Sequence, residues 1–240
     1  MSYAAAPIYV SFFLILLTFV VCYLLNTLWI EPHLPFWLPT ISELGDRPPA
    51  SSIFTLGFSL STFIFLWVVF ARFKDLHHTL PIERYRNINR VACASGLLFC
   101  FSLLVVCSFQ SSLVPYVHYV AAACLFFFAN VYCWLNCVIS AKLRVFRSWS
   151  LSVGIVRLRV ALALLQSLSF GGVVTFSSLW AKYESGTDDL YFWNYVALCE
   201  YLTALTLGLY LLTFAGAEFR SLDVQFVVDG KKRNGKKSSF

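Results

Sequence analysis

Six apolar runs of roughly twenty residues alternate with polar connections along the chain, at residues 8–30, 53–71, 91–109, 114–139, 156–180 and 192–214. About 20 apolar residues wound as a helix cross the ~30 Å hydrocarbon core of a bilayer. None of the runs alternates with the period of two that a membrane β-barrel strand requires. The pattern predicts an all-α integral membrane protein, a six-helix transmembrane bundle over residues 1–219 followed by a basic tail at 220–240. The first run has no basic segment before it and is too long for a signal-peptide core, so it is expected to stay as a span.

Composition agrees with this reading. The chain is 59% hydrophobic and 12% charged, about half the charged content of a soluble domain. No polar connection is long enough for a soluble catalytic domain. Charge then orients the bundle. Sixteen of the 18 Lys and Arg residues fall in the connection at 72–90, around the entry to the fifth span, or in the tail, leaving only Arg47 and Lys182 on the other side. Basic residues collect on the cytosolic side, so both termini are expected in the cytosol. Residues 31–52, 110–113 and 183–191 would then face the lumen or exterior. Trp29, Trp37, Trp180, Tyr191 and Trp193 are expected at that outer interface, where amphipathic aromatics gather.

The connection at 31–53 stands apart from the others. It holds five of the eight prolines, Pro32, Pro35, Pro39, Pro48 and Pro49. Each fixes its own φ and biases the preceding residue toward extended backbone, which argues against a helix there. Gly45-Asp46 supplies a turn, and Ser51 or Ser52 can cap the second span. Phe36, Trp37 and Leu38 are too apolar for a free aqueous loop and suit a stiff cap at headgroup level.

This stretch resembles the signature of the DRAM/FRAG/SFK family, the damage-regulated autophagy modulators and their transmembrane protein 150 relatives. The matching residues are Pro35, Phe36, Pro39, Ile41, Ser42, Glu43, Gly45, Pro48 and Pro49, followed by Ile53-Phe54. Trp37-Leu38 stands where one residue is usual, and Glu43 replaces an Asp. Further matches are Asn89, Gly96, Phe109-Gln110, Val117-His118, Cys199-Glu200 and Leu212-Thr213-Phe214. The chain looks closest to the DRAM-like branch, lacking lumenal cysteines associated with the other. The resemblance implies a non-enzymatic modulator of autophagy and cell death in lysosomal or late-endosomal membranes. An alternative it implies is a plasma-membrane scaffold that regulates phosphoinositide kinase and lipid organisation.

Candidate chemistry is sparse. Glu200 lies deep in the sixth span, where an unpaired charge costs roughly 2.5–3.5 kcal/mol or more. Its helix face also carries Ala197, Thr203, Ala204 and Gly208, small residues that permit close helix approach. His118, Asn26 and Gln110 occupy the same outer half. These four predict an intramembrane polar cluster under the cap, with His118 the first partner expected for Glu200. A hydrogen-bond network holding the bundle, a lipid- or proton-handling site and a catalytic acid/base are the open readings of that cluster.

No catalytic residues are assigned, because no Ser/His/Asp set, HExxH helix, P-loop or Gly-rich dinucleotide turn is present. No cofactor or metal is expected. The eight cysteines all fall in spans and imply no disulfide framework. Cys93, Cys100 and Cys107 recur every seven residues as small apolar packing groups, while Cys133 and Cys137 leave palmitoylation open. Membrane lipids are the expected partners. Lys231, Lys232, Arg233, Lys236 and Lys237 offer contacts to anionic phospholipids at the cytosolic face, at ~1 kcal/mol per basic residue. No nucleic acid is expected.

Overall fold

The computed structural model describes residues 5–30, 38–146, 151–183, 189–216 and 219. Among these, every regular element is helical. The long helices are α1 (Ala6–Leu25, continued by a π-helical turn Asn26–Ile30), α3 (Ala50–Thr79), α4 (Glu83–Ser108), α5 (Pro115–Phe146), α6 (Val153–Tyr183) and α7 (Asp189–Leu212, ending in a 3-10 turn Thr213–Ala215). A single-turn helix, α2 (Ile41–Leu44), lies between α1 and α3. Six helices are long and apolar enough to cross a membrane, matching the six expected spans.

Successive long helices pack on their sequence neighbours, from α1 on α3 round to α6 on α7, and α1 meets α7 only sparsely. The outward faces carry large apolar side chains such as Phe13, Phe63, Phe101 and Leu168, all more than half exposed. Small and polar groups face inward, among them Ser11, Thr18, Ser61, Thr62, Ser140 and Thr203. That is the arrangement hydrocarbon favours, since lipid solvates apolar faces and helix contacts gain from small residues and internal hydrogen bonds. Several hydroxyls return to the carbonyl four residues back, as Thr18 does to Leu14 at 2.8 Å and Thr62 to Phe58 at 2.7 Å. At the crossing of α1 and α3, Gly57 faces the Thr18 side chain so closely that a Cβ would collide with it. Between α5 and α6, the Ser167 hydroxyl accepts from both Asn130 Nδ2 and Trp134 Nε1 at 3.0 Å.

Three expectations are corrected. The connection expected at 72–90 is mostly helix, because α3 runs to Thr79 and α4 starts at Glu83. Charged side chains end the apolar run there, but Lys, Arg and Glu are good helix formers and do not end the helix. Leu76 and Leu80 pack with Ile139, Leu143 and Leu151 in a separate core at that end. Second, α3 begins at Ala50 behind Pro49, and no side chain caps it.

Third, Arg72 and Arg159, which the sequence places in the connection at 72–90 and at the entry to the fifth span, are buried in the bundle. Arg159 is 0% exposed and donates to Ser140 Oγ at 2.6 Å, Thr213 Oγ1 at 2.8 Å and the Thr213 carbonyl at 3.0 Å. Arg72 donates to Asn136 Oδ1 at 2.8 Å. Both guanidinium groups lie over the Phe214 ring, 3.9 and 4.6 Å from its centroid. The quadrupole of an aromatic face attracts cations strongly when water is excluded.

All eight cysteines are free. Cys100 and Cys107 are buried on one face of α4, as the heptad spacing predicts. Cys133 and Cys137 are buried too, and Cys137 lies 3.4 Å from the Tyr210 hydroxyl. Neither thiol is presented for acylation, so that reading is withdrawn.

Candidate functional site at the cap helix

The prolines do not prevent a helix at residues 41–44; they bracket it. Pro39 precedes the N-cap and Pro48-Pro49 follows the turn, so none sits where an N–H is needed. Thr40 closes a capping box with Glu43. The Glu43 N–H donates to Thr40 Oγ1 at 3.2 Å, and the Thr40 N–H donates to Glu43 Oε2 at 2.6 Å. The signal was present in the sequence as Thr-x-x-Glu, and the proline count obscured it. Gly45 ends the turn with the Phe54 ring packed where a side chain would stand.

Side chains from three separate helices reach α2. Glu200 Oε2 on α7 accepts from the Ile41 N–H at 2.9 Å, one of the orphan donors of a helix's first turn. His118 on α5 contacts Ser42 Oγ through Nε2 at 2.8 Å and the Phe109 carbonyl through Nδ1 at 2.6 Å. A carbonyl only accepts, so Nδ1 carries the proton, and in the neutral ring Nε2 then accepts from the Ser42 hydroxyl. Asn26, at the π-helical end of α1, donates to the Leu44 carbonyl at 2.9 Å and to Cys22 at 2.8 Å.

Trp193, expected only at the outer interface, and Asp46, expected only in the turn, complete the seat. Trp193 Nε1 donates to Glu43 Oε1 at 2.9 Å, and its ring packs on Trp180 with centroids 4.7 Å apart. Asp46 Oδ1 accepts from Ser111 Oγ and from the Ser112 N–H, each at 2.9 Å, tying the turn to the α4–α5 link.

Glu200, His118 and Asn26 thus gather under the cap, but each bonds the cap and not the others. The expected Glu200–His118 contact is replaced by two parallel contacts to neighbouring residues of α2. Gln110 stands apart beside Ser51, Thr55 and Ser59. Among the motif residues, Pro39, Ile41, Ser42, Glu43, Gly45, Pro48 and Pro49 form the capped turn. Pro35 and Phe36 lie outside the described residues, as do Trp37 and the tail cations Lys231, Lys232, Arg233, Lys236 and Lys237. So do the side chains of Trp29 and Tyr191. Of the later matches, Asn89 donates to the Phe73 carbonyl at 2.9 Å and joins α4 to α3. No group of three His, Cys, Asp or Glu residues is placed to hold a metal ion among the described residues.

The profile described as the Frag1/DRAM/Sfk1/Cwh43P N-terminal domain matches residues 3–222. The chain belongs to this family. It is 27% identical to DNA damage-regulated autophagy modulator protein 1 of Homo sapiens over 214 residues, 86% of this chain and 87% of that one. The Xenopus laevis protein of the same name is also 27% identical, over 80% of this chain and 82% of its own. Transmembrane protein 150A of Homo sapiens is 25% identical over 74% of this chain and 60% of its own. No solved structure matches. As a family member with six apolar helices, the chain is a multi-pass integral membrane protein.

Proposed function

We propose that this protein is a non-enzymatic modulator of autophagy and cell death that acts from the membrane of lysosomes or late endosomes. The observation that carries this reading is similarity along most of both chains to proteins named as autophagy modulators. The cap is consistent with it, because among the described residues the motif forms a hydrogen-bonded seat that joins α2 to α1, α5 and α7. In this reading the bundle of residues 1–219 presents α2 to the lumen. Both termini are cytosolic, and the 220–240 tail lies against anionic phospholipid. The concentration of Lys and Arg at the end opposite α2 supports that orientation.

The test is microscopy of a tagged full-length chain together with autophagic flux in cells with and without it. Overlap with a lysosomal marker, and a flux that falls on removal and returns on re-expression, is the expected result. Residence at the plasma membrane with unchanged flux would overturn the reading in favour of a scaffold for phosphoinositide kinase and lipid organisation.

A further inference from the structure

Beneath α2 the bundle surrounds an elongated cavity of about 320 Å³. It extends from Ile41 and Ser42 at the cap to Ile8 and Leu211 near the opposite end. Helix α1 lines it from Ile8 to Phe19, a length of ~16 Å at ~1.5 Å per residue. At ~30 Å³ per chain carbon, the cavity volume is well below what a two-chain lipid or a sterol fills. A water occupies ~30 Å³ of liquid and a methylene about the same, so on the order of ten chain carbons fill the space.

The walls are chemically one-sided. Phenylalanines on four helices, including Phe12, Phe58, Phe99 and Phe126, form the shaft. Only Ser42, Glu200 and Tyr201 bring polar side-chain atoms to the lining. Ser42 and Glu200 both stand at the cap end. Glu200 gives one oxygen to the Ile41 N–H, and its other oxygen has no hydrogen-bond partner among the described residues. In the carboxylate form that oxygen accepts from a donor.

The cavity also has a door. Leu16 on α1 and Leu205 on α7 line it and remain 38% and 44% exposed. They flank the sparse α1–α7 contact, where the surrounding medium is hydrocarbon. Apolar cavities stay dry, and what stands outside this one is lipid chain.

We propose that the cavity binds the chain of a single-chain amphiphile whose head donates a hydrogen bond to Glu200, a long-chain alcohol or amine that enters between α1 and α7. This site rests on the shape and lining of the cavity and is independent of the role in autophagy.

The test uses the purified full chain in nanodiscs, photolabelled with diazirine-bearing decylamine, decanol or decanoate, with labelled peptides mapped by mass spectrometry. Label from the amine or the alcohol is expected on α1 and α7 around Phe12 and Leu205, and about tenfold less from the acceptor-only carboxylate. Label from the amine alone would assign a cationic head, and label from both a hydroxyl-type donor. Ala204→Phe, which projects a ring into the shaft, should cut labelling about tenfold in protein that melts like wild type. An excess of the unlabelled probe should compete in wild-type protein, whatever the fate of the variant. Label spread over outward residues such as Phe13 and Leu168, failure of competition, or equal label from decanoate would each overturn the proposal.

Discussion

Glu200 and His118 hold adjacent residues of the same short helix by different kinds of bond, and mutation separates them. Glu200 needs only an acceptor oxygen to serve the Ile41 N–H. Glu200→Gln retains one and is expected to melt close to wild type in detergent. Glu200→Leu leaves a half-buried donor unmatched, at a cost of up to about 1–3 kcal/mol, and should lower the melting temperature measurably. His118 bridges two elements at once, the Ser42 hydroxyl and the Phe109 carbonyl at the end of α4. His118→Ala should therefore be at least as damaging as Glu200→Leu. A variant indistinguishable from wild type in melting would show that the bridge contributes nothing. The sequence made these residues visible because hydrocarbon does not tolerate unmatched polar groups. It misassigned their partner because depth along a helix says nothing about direction around it. Glu200 and His118 share a level, and α2 lies between them. Arg72 and Arg159 were missed for the related reason that a guanidinium near a helix end looks solvated until Phe214 and Ser140 are seen around it.

At the scale of elements, α2 shows how local chemistry competes with composition. A stretch with five prolines reads as extended, yet Thr40 and Glu43 close one helical turn between Pro39 and Pro48. Thr40→Ala removes the cap acceptor and should cost about 1 kcal/mol, read as faster amide hydrogen exchange at residues 41–45 with the long helices unchanged. Equal exchange in the two proteins would rule out a stabilising box. The crossing of α1 and α3 gives a second, sterically based expectation. Gly57→Leu drives a side chain into Thr18 and should cost about 1–3 kcal/mol or more by overpacking, measured by thermal melting. Thr18→Ala in the same chain should recover part of the loss. Helix identity was legible from the apolar runs alone, whereas helix length was not. The extensions of α3 and α4 carry charges that leave the hydrocarbon but remain good helix formers.

For the whole molecule, the sixteen-to-two distribution of basic residues predicts sidedness. Single cysteines at Arg47, on the exposed turn after α2, and at Ser238 should react with an impermeant thiol reagent from opposite sides of intact membranes. Reaction of both from one side would reject the arrangement. A peptide of the 220–240 tail should bind anionic vesicles and lose that binding when its five clustered Lys and Arg residues become Gln. Equal binding to neutral vesicles would leave those charges a role in topology only. The wiring of α2 also sets an order of events in time. Ile41 lies 159 residues before its acceptor Glu200, and Glu43 lies 150 before Trp193. At 5–20 residues per second, roughly ten to thirty seconds of translation separate the synthesis of this helix from that of the helix that completes its bonds. Through that interval the nascent turn carries a donor with no acceptor, open to chaperones and proteases on its side of the membrane. Its closure marks a chain whose last span has been delivered.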